Sequence, residues 1–246
     1  VQLNFAAREV TIKLVYYGPA LSGKTTNLKA LHELTSEESH GRLMTLETRD
    51  DRTLFFDMLP LVFKSEAGDM SLRLKVFTVP GQVLHGSTRR LVLQGADGVA
   101  FIADSQLSET ENNAVALIDL RENLQELGIS LRDLPFVIQF NKRDLPSVRT
   151  DAEITQLAAR GREPIFKASA INGEGVLESF FGLLELTWTR LEKEHQLAKM
   201  FCVPRNEFVP MAARQFGYKG DTRKLLAKNL GGSLDFADRT PKGVKA

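Results

Sequence analysis

The chain has 246 residues, 43% of them hydrophobic and 26% charged, with a formal net charge of +1. That is the make-up of a globular domain with room for a core and an extension, and it gives no electrostatic reason to expect a nucleic-acid partner. A single cysteine, Cys202, excludes an internal disulfide and fits a reducing, cytoplasmic setting. No apolar run approaches a membrane span, "VQLNFAAREVTIKLVYYG" lacks the pattern of a signal peptide, and "PKGVKA" carries no prenylation motif.

In chain order, "TIKLVYYG" reads as a strand ending at Gly18, and a helix follows from Lys24 to Leu34. "PLVFKSE" and "SLRLKVFTVPG" read as two strands joined by a hairpin turn at "AGD". "GVAFIADS", "LPFVIQFNKRD" and "PIFKASA" are nearly uniformly apolar, as strands covered on both faces should be. A helix over Glu109–Leu127 places Ala114, Leu117, Ile118, Arg121, Leu124 and Leu127 on one face, with Arg121 its only break. A second, over Glu174–Leu191, carries Leu177, Phe180, Phe181, Leu184, Trp188 and Leu191, a stripe suited to core packing. The expected fold is therefore an α/β three-layer sandwich: a mostly parallel six-stranded sheet with one antiparallel strand. Ligands of such sheets bind beyond the carboxyl ends of the strands.

Composition shifts near residue 200. Residues 1–199 hold 23 basic and 27 acidic side chains, whereas residues 200–246 hold nine and four. We expect a main domain over 1–199 and a basic extension over 200–246. Within the extension "RKLLAKNLGG" can form a short amphipathic turn or two. The extension is either loosely ordered or a docking segment for an acidic partner or a membrane surface.

"GPALSGKT", Gly18 to Thr25, fits G-x-x-x-x-G-K-[ST] between a predicted strand and a predicted helix, the context a phosphate cradle needs. Gly18 and Gly23 allow close backbone wrapping. The loop through Ala20, Leu21, Ser22 and on to Thr26 offers N–H groups to phosphate oxygens. Lys24 can reach the β- and γ-phosphates, and the Thr25 hydroxyl can ligate Mg²⁺. "NKRD", Asn141 to Asp144, follows the fifth strand. The two Asp144 oxygens suit the N1–H and 2-amino group of guanine, a donor pair that adenine lacks. Asn141 can tie this loop to the phosphate loop or meet the base edge, and the Lys142 stem can lie along the ring. In "ASA", Ser169 and Ala170 place a backbone N–H where the guanine O6 could meet it.

Together these motifs resemble the Ras-like small GTPases over about residues 10–195. "VYYGPALSGKTTNLKAL", "DRTLFFDMLPL", "TVPGQV" and "VIQFNKRDLP" are similar to the MglA-type bacterial polarity GTPases in particular. The resemblance implies a P-loop small GTPase fold binding GTP or GDP with Mg²⁺. It implies a Roadblock-fold MglB-like dimer as activator, and effectors of polarity or motility. It also implies a protein that is monomeric alone and enriched at a cell pole. In such a GTPase Thr53 would reach Mg²⁺ and the γ-phosphate. Arg52, or Arg49, would act as the arginine finger. Gly81 would offer its N–H to the γ-phosphate, and Gln82 would orient the attacking water.

Two positions depart from the wider pattern. Thr78 stands where a small GTPase usually has an Asp, so weaker Mg²⁺ retention is expected, on the order of 1–2 kcal/mol for a charge-assisted bond lost. MglA-type chains share the Thr. Ala20 replaces a usual glycine and adds a methyl group where Gln82 and the γ-phosphate would meet, which predicts slower intrinsic hydrolysis. A GTP-hydrolysing switch is the first reading. A non-catalytic guanine-nucleotide module and an ATP-using P-loop enzyme are the alternatives; Asp144 opposes the latter.

Overall fold

The computed structural model describes residues 1–47, 55–64, 71–80, 86–201 and 207–229. Strands and helices alternate along the chain: β1 (Gln2–Asn4), β2 (Glu9–Tyr17), α1 (Lys24–Leu34), β3 (Met44–Glu47), β4 (Phe55–Lys64), β5 (Ser71–Thr78) and α2 (Gly86–Leu93). There follow β6 (Gly98–Asp104), α3 (Thr110–Glu126), β7 (Phe136–Asn141), α4 (Asp151–Arg160), β8 (Ile165–Lys167) and α5 (Val176–His195). Three shorter helices, α6 (Leu197–Phe201), α7 (Phe208–Gln215) and α8 (Thr222–Asn229), complete the described chain.

The strands form one sheet in the order β3-β4-β5-β2-β6-β7-β8, with β1 paired to β2. Pairings β2–β5, β2–β6, β6–β7 and β7–β8 are parallel, and β4 is antiparallel to both its neighbours. The α/β sandwich and the hairpin pairing are as expected, with Lys64 opposite Ser71. The sheet has eight strands where the apolar runs predict six. The two additions, "QLN" and "MTLE", are three and four residues long, too short to carry a strand period.

Side-chain alternation divides the core. On one face Val10, Ile12, Leu14 and Tyr16 of β2 join Leu59, Leu61 and Phe63 of β4 and Leu72, Leu74 and Val76 of β5 beneath α1 and α5. On the other, Val15 and Tyr17 join Val99, Phe101 and Phe136 beneath α2, α3 and α4. β6 lies between β2 and β7, and all seven of its residues are buried.

The α5 stripe packs as predicted, but α3 turns a different face inward. Its buried residues are Leu120, Asn123 and Leu124, while Ile118 is 53% exposed and Arg121 is also exposed. The inward face is partly polar because its polar groups have partners. Asn113 Nδ2 donates to the Asp104 carbonyl at 2.8 Å, and Asn123 Nδ2 donates to the Tyr17 hydroxyl at 3.1 Å.

The start of the basic extension is no loose tail. Phe208, Ala212 and Phe216, each 0% exposed, lie four residues apart and enter the same core as α5. The Phe208 ring stacks on Trp188 with centroids 3.6 Å apart and meets the edge of Phe63 at 5.5 Å. Gln215 then grips the end of β4: its Nε2 donates to the Lys64 carbonyl at 2.6 Å, and the Lys64 N–H donates to its Oε1 at 3.2 Å. These contacts explain why α5 is buried nearly all round.

Candidate functional site

Gly18 follows β2 and lies against β6. A Cβ there would stand 2.2 Å from the Ile102 carbonyl oxygen, so no side chain fits. Gly23 opens α1 at φ 94°, and a Cβ on it would stand 2.2 Å from Asn141 Nδ2. Between them Ala20 and Leu21 lie exposed at the loop tip, while Ser22 is fully buried. Lys24 is 7% exposed, and its ammonium donates back to the carbonyls of Gly18 at 3.0 Å and Pro19 at 2.6 Å. Burial, with a smaller push from the Arg89 guanidinium, lowers its pKa to about 8. A buried cation at the head of a helix, held among the described residues by carbonyls of its own loop, suits an anionic ligand.

The NKRD loop is bound to this cradle through Asn141, which is 1% exposed. Its Nδ2 donates to the Ser22 carbonyl at 2.9 Å, and its Oδ1 accepts the Ala170 N–H at 2.9 Å. One side chain thus joins the phosphate loop, the end of β7 and the loop after β8. The Ser169 hydroxyl donates to Asp144 Oδ1 at 2.5 Å and aims an otherwise exposed carboxylate. Lys142, in the left-handed region at φ 65°, pairs with the buried Asp104 at 2.6 Å.

Sequence reasoning missed a second tie. Ser179 of α5 donates to Gln139 Oε1 at 2.6 Å, and Gln139 Nε2 donates to Asn27 Oδ1 at 2.9 Å. Asn27 Nδ2 then donates to the Gly23 carbonyl at 2.9 Å. The available signal was polar Gln139 inside the apolar run "FVIQF".

In the remaining corner Thr25 and Thr78 meet at Asp57 of β4. Thr25 Oγ1 donates to Asp57 Oδ2 at 2.6 Å, and Thr78 Oγ1 donates to the same oxygen at 3.3 Å. Thr45 Oγ1 donates to Asp57 Oδ1 at 2.9 Å, and the Asp57 N–H donates to Thr78 Oγ1 at 2.9 Å. Hydroxyl oxygens and a carboxylate are hard donors of the kind Mg²⁺ takes, so Thr25 and Asp57 fit that ion. Asp57 was also missed. It heads the inward row Asp57, Leu59, Leu61, Phe63, and an acid leading a buried apolar row is the signal. Thr26 is half-buried on the first turn of α1. Arg49, Arg52, Thr53, Gly81 and Gln82, and the turn at Ala67–Asp69, lie outside the described residues.

No protein-family model matches the chain. Over 191 residues it is 44% identical to the Mutual gliding-motility protein MglA of Myxococcus xanthus, covering 78% of this chain and 97% of that protein. The chain belongs to the MglA family of Ras-like small GTPases. Weaker similarity extends to ADP-ribosylation factor-like protein 6 of Caenorhabditis briggsae and of Caenorhabditis elegans. These are 27% and 26% identical over 70% of this chain and 84% of theirs. As an MglA-family GTPase the chain binds guanine nucleotide and hydrolyses GTP, and the non-catalytic reading is not favoured. Among its described helices none is long and apolar enough to cross a membrane.

Proposed function

We propose that this GTPase is a Mg²⁺-dependent switch of bacterial cell polarity or gliding motility, working in the cytoplasm and enriched at a pole. A Roadblock-fold, MglB-like dimer would accelerate its hydrolysis, and polarity or motility effectors would read its GTP form. In this reading residues 1–199 are the catalytic domain, and the segment from 200 begins as a cap on α5. The family's gliding-motility relative from Myxococcus supports the cellular role.

Lys24 would hold the β- and γ-phosphates, with the loop N–H groups from Ala20 to Thr26 around them. Thr25 and Thr53 would hold Mg²⁺, which neutralises charge on the phosphate oxygens when bound. Arg52 and Gln82 would serve the transition state and the attacking water, with Gly81 beside the γ-phosphate. Asp144 would accept from the guanine edge, Lys142 would lie along the ring, and Ser169 with Ala170 would close the pocket.

The observation that carries this reading is the pair of hydrogen bonds linking Asn141 to Ser22 and Ala170, which joins the loop at the head of α1 to the loops after β7 and β8. The test is displacement of fluorescent GDP by GTP, ATP and xanthosine diphosphate from the protein and from Asp144→Asn. GTP displaces it and ATP does not; Asp144→Asn loses roughly 10⁴-fold in GDP affinity, as when a polar substrate edge is left unpaired. The amide can donate to the extra carbonyl of xanthine, so xanthosine diphosphate gains on GDP. Equal displacement by ATP would contradict the reading. GTP turnover with and without an MglB-like dimer tests the activator.

A further inference from the structure

Asp57 is a buried carboxylate with no charge partner among the described residues. It is 9% exposed, and no ion pair reaches it among the described residues. Three hydroxyls from three elements converge on it instead: Thr25 at the head of α1, Thr45 on β3 and Thr78 on β5. Carboxylates are seldom left buried without a cation, because desolvation is costly and neutral hydroxyls repay only part of it. The remaining attraction is available to a positive ion.

Strand pairing puts the group there. β4 is antiparallel to β3, with Asp57 opposite Thr45, and antiparallel to β5, with Met58 opposite Phe77. The next step along that ladder brings Asp57 beside Thr78, where the Asp57 N–H donates to the Thr78 hydroxyl. The side chain of Asp57 therefore enters the space where a carboxylate on residue 78 would stand. It reaches the phosphate-loop threonine at 2.6 Å.

The direction of that bond matters. A threonine hydroxyl that ligates a metal through its oxygen needs an acceptor for its proton, and Asp57 Oδ2 takes the Thr25 proton. In P-loop NTPases this place is held by an acid at the end of the strand that corresponds to β5.

We propose that Asp57, reaching across from β4, is the carboxylate of the metal site, and that Thr78 is the residue that positions it. The proposal rests on the reading that a Mg²⁺–nucleotide complex binds at Thr25. It reverses the expectation that Thr78 leaves the site one charge short: the charge has moved to the neighbouring strand. It also makes the metal site depend on the β3–β4–β5 register, so a slip of β4 would withdraw the carboxylate.

The experiment is release of fluorescent GDP from the full chain as a function of free Mg²⁺, read for the protein, Asp57→Asn, Thr78→Ala and the double variant Asp57→Asn/Thr78→Asp. For Asp57→Asn, the Mg²⁺ concentration that half-protects the nucleotide rises about tenfold or more, the scale of a charge-assisted bond lost. Its release rate in chelator stays that of the unaltered protein, because the nucleotide contacts are intact. Thr78→Ala keeps the carboxylate but loses its two hydrogen bonds, and shifts the midpoint the same way by about threefold. The double variant restores a carboxylate at the β5 position and recovers much of the midpoint.

An unchanged midpoint in Asp57→Asn overturns the proposal. So does a lower one, which would make Asp57 a competitor that must leave before the metal enters. Should Asp57→Asn fail to fold, an unchanged midpoint in Thr78→Ala overturns it. Failure of the unaltered protein to hold fluorescent GDP at all would instead overturn the nucleotide-site reading beneath it.

Discussion

The two halves of the proposed nucleotide site are built on different principles. The base half is crosslinked by amide side chains that hold backbone groups: Asn141 to Ser22 and Ala170, and Ser179 through Gln139 and Asn27 to Gly23. Its geometry belongs to loops anchored on the buried helix α5. The phosphate-metal half is held by hydroxyls around one carboxylate, and that cluster exists only while β4 pairs with β3 and β5 in the observed register. A site divided this way can fix which nucleotide it holds while its response to the metal varies with one strand.

Substitutions away from, within and against this division separate its parts. The largest effect falls outside both halves. Phe208→Ala removes a ring packed on Trp188 and Phe63, and costs about 3–5 kcal/mol in stability. Thermal unfolding shifts down strongly, yet the preference for GDP over ADP is retained. A changed preference would show that the cap on α5 reaches into the base half.

Within the base half, Asn141→Ala breaks two buried hydrogen bonds and costs about 2–3 kcal/mol of GDP affinity. That corresponds to roughly 30- to 150-fold in equilibrium titration, and the loss is the same with Mg²⁺ or chelator. A loss seen only with Mg²⁺ would break the comparison.

The smallest effect is a proton. Burial lowers the Lys24 pKa to about 8 in the free protein. Nearby phosphates would raise it again, so GDP binding at pH 8.5 takes up roughly three-quarters of a proton and almost none at pH 7. Calorimetry in buffers of different ionisation enthalpy reads this directly. The stability of the free protein follows the same group. Between about 8 and the ordinary 10.5 the unfolded chain binds a proton that folded Lys24 does not. Stability of the free form therefore rises with pH across that window.

The two proposed nucleotide loops stand out in the sequence because the chemistry of each is contiguous. "GPALSGKT" and "NKRD" each hold their proposed contacts in one short run, and the limits of α1 agree with those read from the sequence. Asp57 showed in the sequence only as an acid leading an apolar row, for the opposite reason. Strand register brings Thr45 and Thr78 to it, and the packing of α1 brings Thr25; no single segment encodes either. The inward face of α3 was misjudged because half-buried Asn113 and buried Asn123 have partners that periodicity cannot foresee. Helix α4 carries a capping box, Thr150 with Glu153, that marks its start in the sequence. In α7, Pro210 falls in the first turn, where it breaks nothing, and the spacing of Phe208, Ala212 and Phe216 is the pattern that the basic composition masked.

The division between the halves is tested most directly by one paired measurement: release of fluorescent GDP from Asn141→Ala and Asp57→Asn, each with saturating Mg²⁺ and with chelator. The account predicts faster release from Asn141→Ala in both conditions. It predicts no change in chelator for Asp57→Asn, whose effect appears only as free Mg²⁺ is lowered through its shifted midpoint. Asp57→Asn releasing GDP faster in chelator, or releasing it with an unaltered Mg²⁺ dependence, would contradict it.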